Sequence, residues 1–163
     1  MQARFAPATG ALRGVDPCQT AVPQPSPWAR STRADLVRLV DLAQDERLST
    51  DWDGEVFQAD HLVAGQPLRL MAHEVSGGAF YELEAWCFAL NVAFVRWSGG
   101  YAGSWSAERV VYTGDDEPGS YIADEMDRIL IDEATIRELG SFETIIDYFA
   151  GAGFEVPPLV VVD

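Results

Sequence analysis

The 163-residue chain is 48% apolar and carries a net charge of −15, a composition that suits one domain able to bury a core and excludes wholesale disorder. It holds no run of about 18 apolar residues that could span a bilayer. Twenty-six Asp and Glu stand against eleven basic residues, a field that repels nucleic acid and anionic lipid and speeds encounter with basic partners.

The first 30 residues contain Pro7, Pro17, Pro23, Pro25 and Pro27 with almost no apolar periodicity, which leads us to expect a disordered leader. The five Arg and two Asp of residues 1–38 give this end a surplus of +3, leaving −18 for residues 39–163. All eleven basic residues are Arg. The absence of Lys excludes a Walker-type nucleotide loop and, with the high Ala, Gly and Val content, suggests a GC-rich genome. Cys18 lies in the Pro-rich segment and Cys87 between Trp86 and Phe88, so a bridge would tie a tail to the core; a reduced, cytoplasmic chain is expected. Neither a secretory signal nor a lipidation site is expected at this end.

A single α+β domain is expected from residue 31 onward. Thr32 with Asp35, then Leu36, Leu39, Val40 and Ala43, predicts a capped helix over 33–46. Asp51-Trp52-Asp53-Gly54 reads as a turn, with Trp52 either folded onto that helix or standing out as an anchor. Short strands are expected at 55–58 and 62–63. Leu68, Leu70 and Ala72 alternate with polar or larger neighbours, as do Ala79, Tyr81 and Leu83. Val92 to Trp97 is nearly apolar throughout, as in a strand covered on both faces. Together these predict a central antiparallel sheet of three strands or more, punctuated by glycine turns at Ser76–Gly78 and Ser98–Gly100.

Tyr101 to Trp105 forms a glycine-rich aromatic loop, which serves either as a binding surface or as a corner tucking its rings inward. A strand is expected at 108–113 and a solvated turn at 114–119. A helix is expected at 121–128, then an extended piece, then a helix at 133–139. Gly140 closes that helix and Ser141 caps the next, whose stripe is Ile145, Ile146 and Phe149 and whose end is Gly151 to Gly153. Leu159 to Val162 reads as an edge strand or docked tail.

Few residues offer chemistry. His61 and His73 are the only histidines. A Cys87/His73/carboxylate enzyme is the weakest reading, because an apolar setting suppresses the thiolate. Neither a metal nor a cofactor is expected: paired Cys or His spacing is lacking, and the runs Asp115-Asp116-Glu117 and Asp124-Glu125-Met126-Asp127 lack the alternation of a calcium loop.

Asp51-Trp52, Gly77-Gly78-Ala79-Phe80-Tyr81 and Ser98-Gly99-Gly100-Tyr101-Ala102-Gly103 occur in an order that resembles actinobacterial members of the SUKH superfamily, over about residues 32–105. The resemblance implies an α+β fold around an antiparallel sheet and a non-catalytic immunity protein that neutralises a toxin, often a nuclease. Past Trp105 the pattern departs, with 108–113 and an acidic turn where a helical continuation is usual. The expected function is capture of a basic protein through Trp52, Tyr101 and Trp105 with Asp51, Asp53, Asp115, Asp116 and Glu117. The competing classes are a regulatory or scaffold module and an acidic DNA mimic. The oligomeric state is not legible.

Overall fold

The computed structural model describes residues 2–7, 30–115 and 117–162, with residues 2–7 and 30 described by backbone alone. It is an α+β fold. Strands β1 (Gln2–Pro7), β3 (Leu68–Met71), β4 (Val92–Ser98), β5 (Glu108–Tyr112) and β6 (Gly119–Ile122) form one sheet in the order β3-β1-β4-β5-β6, and every pair in it is antiparallel. A second, two-stranded parallel sheet joins β2 (Arg30–Thr32) to β7 (Val160–Val162). The helices are α1 (Arg33–Asp45), α2 (Tyr81–Leu90), α3 (Glu133–Leu139) and α4 (Phe142–Ala152). Among the described residues no helix is long and apolar enough to cross a membrane.

The leader expectation is corrected over its first residues. Gln2–Pro7 lies between β3 and β4, paired on both sides; residues 8–29, Cys18 included, lie outside the described residues.

β4 explains why the core has two halves. Its side chains alternate between faces, so Phe94 joins Leu39, Leu42, Leu83, Cys87 and Tyr112 beneath α1 and α2. Val95 instead meets Val111 and Val156 on the other face, where α4 packs on β5 and β6. A strand covered on both faces was the expectation for this run, and β4 meets it.

Local signals set several boundaries. Thr32 caps α1 by accepting from the Asp35 N–H at 3.2 Å, while Asp35 Oδ2 accepts from the Thr32 N–H at 2.8 Å. Gly140 ends α3 at φ 74°, and Ser141 accepts the Thr144 N–H to start α4.

Three local expectations fail. Residues 81–90 form α2, because Phe80, Leu83 and Cys87 bury together at i, i+3 and i+7, a spacing that outweighs a short stretch of alternation. Residues 121–128 are not helical. β6 completes a hairpin, and Asp124 Oδ1 then accepts the Met126 and Arg128 N–H groups at 2.8 and 2.9 Å, an Asp-centred turn that competes with helix. The strands at 55–58 and 62–63 reduce to an isolated bridge from Val56 to Ser49 and a 3-10 turn at Ala59–His61.

Candidate functional site

Met71 and Trp97 both register with Gln2, so the C-terminal ends of β3 and β4 lie at one end of the sheet. The segments leaving these strands carry most of the exposed aromatics singled out in the sequence. Ser49 bridges to Met71, which brings the following Asp51-Trp52-Asp53 turn to this end. The Trp52 ring sits 4.8 Å from that of His73, whose Nε2–H donates to the Trp52 carbonyl at 3.2 Å. Trp52 is 43% exposed; it is an outward ring seated on His73, with Asp51 and Asp53 exposed beside it.

After β4, Ser98-Gly99-Gly100 leads into a tight loop in which Tyr101 and Trp105 bridge across the chain. The Trp105 N–H donates to the Tyr101 carbonyl at 3.2 Å and the Tyr101 N–H to the Trp105 carbonyl at 3.0 Å. Their rings stack at 5.2 Å and 28°, yet remain 63% and 54% exposed. The rings therefore face water, which settles the tucked-corner alternative against itself. Trp105 divides two depressions. One of about 230 Å³ is lined by Glu74, Val75, Gly78, Gly100 and Tyr101; the other, about 450 Å³, is lined by Gly77, Ser106, Glu108, Ser120 and Tyr121.

The loop is held by close backbone approach at Gly100. Its N–H donates to Glu125 Oε1 at 3.0 Å, and an added Cβ would lie 3.0 Å from the Ala107 nitrogen and 3.1 Å from the Trp105 carbonyl oxygen. Gly100→Ala should destabilise the fold by about 1–3 kcal/mol through overpacking, read as a lower urea midpoint with a changed tryptophan emission.

Beneath the site lies a buried ion network. Arg96, 6% exposed, donates through Nη1 to the Gly78 carbonyl at 2.7 Å and to Ser98 Oγ at 3.2 Å. Its Nη2 donates to Glu108 Oε2 at 3.3 Å. Nε lies 2.8 Å from Glu84 Oε1 without the alignment of a hydrogen bond, so that contact is chiefly Coulombic. Burial pushes the Glu84 carboxyl above its ordinary value, against the opposing pull of Arg96. The network ties the Gly77-Gly78 turn, α2, β4 and β5 together under the aromatic rim.

The expected acidic contributors divide. Asp51 and Asp53 share the aromatic end. Asp115 and Glu117 follow Tyr112, which registers with Phe94, whereas Glu108 registers with Ser98; the β5–β6 connection thus lies a strand length away, about 14 Å. Asp116 lies outside the described residues. In their place the structure brings Glu74 and Glu125 to the aromatic loop. Arg96 had a signal in the sequence: a lone charge in a strand covered on both faces requires buried counter-charge. Glu74, Glu108 and Glu125 had none, because they meet only through the fold.

Cys87 is fully buried, and desolvation, with Glu84 adding to it, pushes its thiol well above the ordinary range. His73 is meanwhile exposed and bonded to Trp52. Among the described residues, no group of three His, Cys, Asp or Glu side chains is placed to hold a metal ion. Comparison of the chain with protein-family models, with curated proteins and with solved structures found no match.

Proposed function

We propose that this chain is a non-catalytic binding module that captures a basic protein with the aromatic end of its sheet, as an immunity protein neutralising a basic toxin such as a nuclease would. The observation that carries the reading is the exposure of Trp52, Tyr101 and Trp105 at one sheet end, held by ring stacking and a buried ion network and bordered by Asp51, Asp53, Glu74 and Glu125. Aromatic rings on a rigid support lose little entropy on binding and dominate interface energies. Carboxylates around them steer a cationic partner. The resemblance to the SUKH superfamily supports the same reading.

A pull-down from the native host, followed by binding kinetics on the partner recovered, tests it. Trp105→Ala should raise the dissociation rate by about 30-fold, corresponding to a hot spot of about 2 kcal/mol. Glu74→Gln with Glu125→Gln should slow association and flatten its salt dependence. Asp115→Asn with Glu117→Gln should do so less, because these groups lie beyond a Debye length of about 8 Å from the rings. Wild-type dissociation rates in both Trp52→Ala and Trp105→Ala, with a basic partner in hand, would remove the aromatic end as the interface.

A further inference from the structure

The apolar arc of α4 is wider than the sheet it covers. Tyr148 meets the Tyr121 ring at 4.9 Å, and the carbonyl of buried Ala152 accepts from Arg109 Nε at 2.9 Å. These contacts define the inward face. Phe142, Ile146 and Phe149 fall at i, i+4 and i+7, one stripe about a quarter turn away from it by the helical period. Phe142 is 75% and Ile146 50% exposed, and Phe149 and the neighbouring Ile136 of α3 are exposed as well. A shallow cleft of about 470 Å³ runs between the two helices, past Ile136, Gly140 and Phe142.

The corner that shapes this cleft is fixed. Gly140 takes φ 74°, Ser141 caps α4, and Thr144 Oγ1 donates to the Leu139 carbonyl at 2.6 Å. The surface is thus preformed. Arg137 lines the cleft and is held by Glu133 at 2.6 Å; the other charged residues of α3 and α4 are Glu138, Glu143 and Asp147, all exposed carboxylates, so the two helices together are acidic.

We infer that the Phe142/Ile146/Phe149 stripe, with Ile136, is a second docking face whose occupant is a basic amphipathic helix of a protein partner. The stripe spans two helical turns, the footprint that an i, i+4, i+7 anchor set requires. Charge decides between occupants. A second copy would bring like-charged helices together in a chain of net charge −15, and an anionic membrane would be repelled in the same way, whereas Lys or Arg flanking an apolar stripe complements the carboxylates. The face shares no residue with the aromatic end and stands independently of the function proposed above.

The test uses the full chain and a fluorescent 14-residue peptide with Leu at i, i+4, i+7 and i+11 and Lys elsewhere, beside a scramble of equal charge. Fluorescence anisotropy should show the patterned peptide binding at least tenfold more tightly than the scramble. Phe142→Ser with Ile146→Asn should weaken it at least tenfold, as should Glu143→Lys with Asp147→Lys, while Trp105→Ala leaves it unchanged. All four positions on α4 are exposed, so circular dichroism and melting temperature should stay at wild-type values. Equal affinity for the scramble, or wild-type affinity in the stripe variant, overturns the inference. So does a wild-type dimer in sedimentation that the stripe variant converts to monomer, since a second copy would then be the occupant.

Discussion

Replacing Arg96 with Met should cost about 3–5 kcal/mol of stability at pH 7.5, the range for removing one partner of a buried ion pair. Arg96 is 6% exposed; it hydrogen-bonds the Gly78 carbonyl, Ser98 and Glu108 and lies in charge contact with Glu84. Its loss leaves Glu84, whose side chain is only 12% exposed, without its counter-charge. Lys should not rescue the fold, because one ammonium cannot reproduce a planar fork reaching four partners. Glu84→Gln in the Arg96→Met background should recover part of the loss by removing the orphaned charge. The deficit should also depend on pH. Burial holds the folded-state carboxyl of Glu84 above its ordinary value of 4.5, with Arg96 pulling it back. A carboxyl raised on folding stabilises the fold in its protonated form, fully below the ordinary value, and that contribution is lost as pH rises through the raised one. Without Arg96 the rise is larger and the loss at neutral pH greater. Urea titrations from pH 7.5 down towards 4.5 should therefore find the gap between variant and wild type narrowing. A gap of the same size at every pH, or one under about 1 kcal/mol, would show that Glu84 is not the group left unpaired.

Arg96 also marks what was legible in the sequence. Features written in adjacent residues came through: the Thr32/Asp35 capping box, the Gly140-Ser141 helix corner, the buried run of β4 and the existence of the Tyr101–Trp105 loop, whose sequence left the direction of its rings open. Features that depend on distant partners did not. Residues 81–90 carry both a short alternation and a helical spacing, and only burial against Phe94 and α1 selects the second. Ile122 and Met126 suit helical spacing, but pairing of Gly119–Ile122 with β5 and the Asp124 turn prevail. The acidic residues of the site divided for the same reason. Asp115 and Glu117 adjoin a turn that sends them to the far end of β5, whereas Glu74 and Glu125, far apart in sequence, meet the aromatic loop only when the sheet is assembled.

The N-terminal strand is the most non-local of these features, and removing it should have the largest effect of all. β1 registers with β3 through Gln2–Met71 to Phe5–Leu68 and with β4 through Gln2–Trp97 to Pro7–Val92. Among the described residues it is the strand that links β3 to the rest of the sheet order. A chain lacking residues 1–7 leaves facing rows of β3 and β4 backbone groups unpaired, each costing about 1–3 kcal/mol if it stays buried. Several such groups exceed a domain stability of about 5–15 kcal/mol. The truncated chain should lose its cooperative thermal transition and its near-ultraviolet circular dichroism. The milder variant Ala3→Pro withdraws one N–H from a strand paired on both edges and should lower the urea midpoint while leaving the transition cooperative. Because a truncated chain could fail for unrelated reasons, a synthetic peptide of residues 1–10 supplies the decisive measurement. Added in trans, it should restore the transition by re-forming both ladders, whereas the same peptide carrying the Ala3→Pro change should restore it poorly. A truncated chain that melts at the full-length temperature would return residues 2–7 to the dispensable leader that their Pro-rich surroundings suggest.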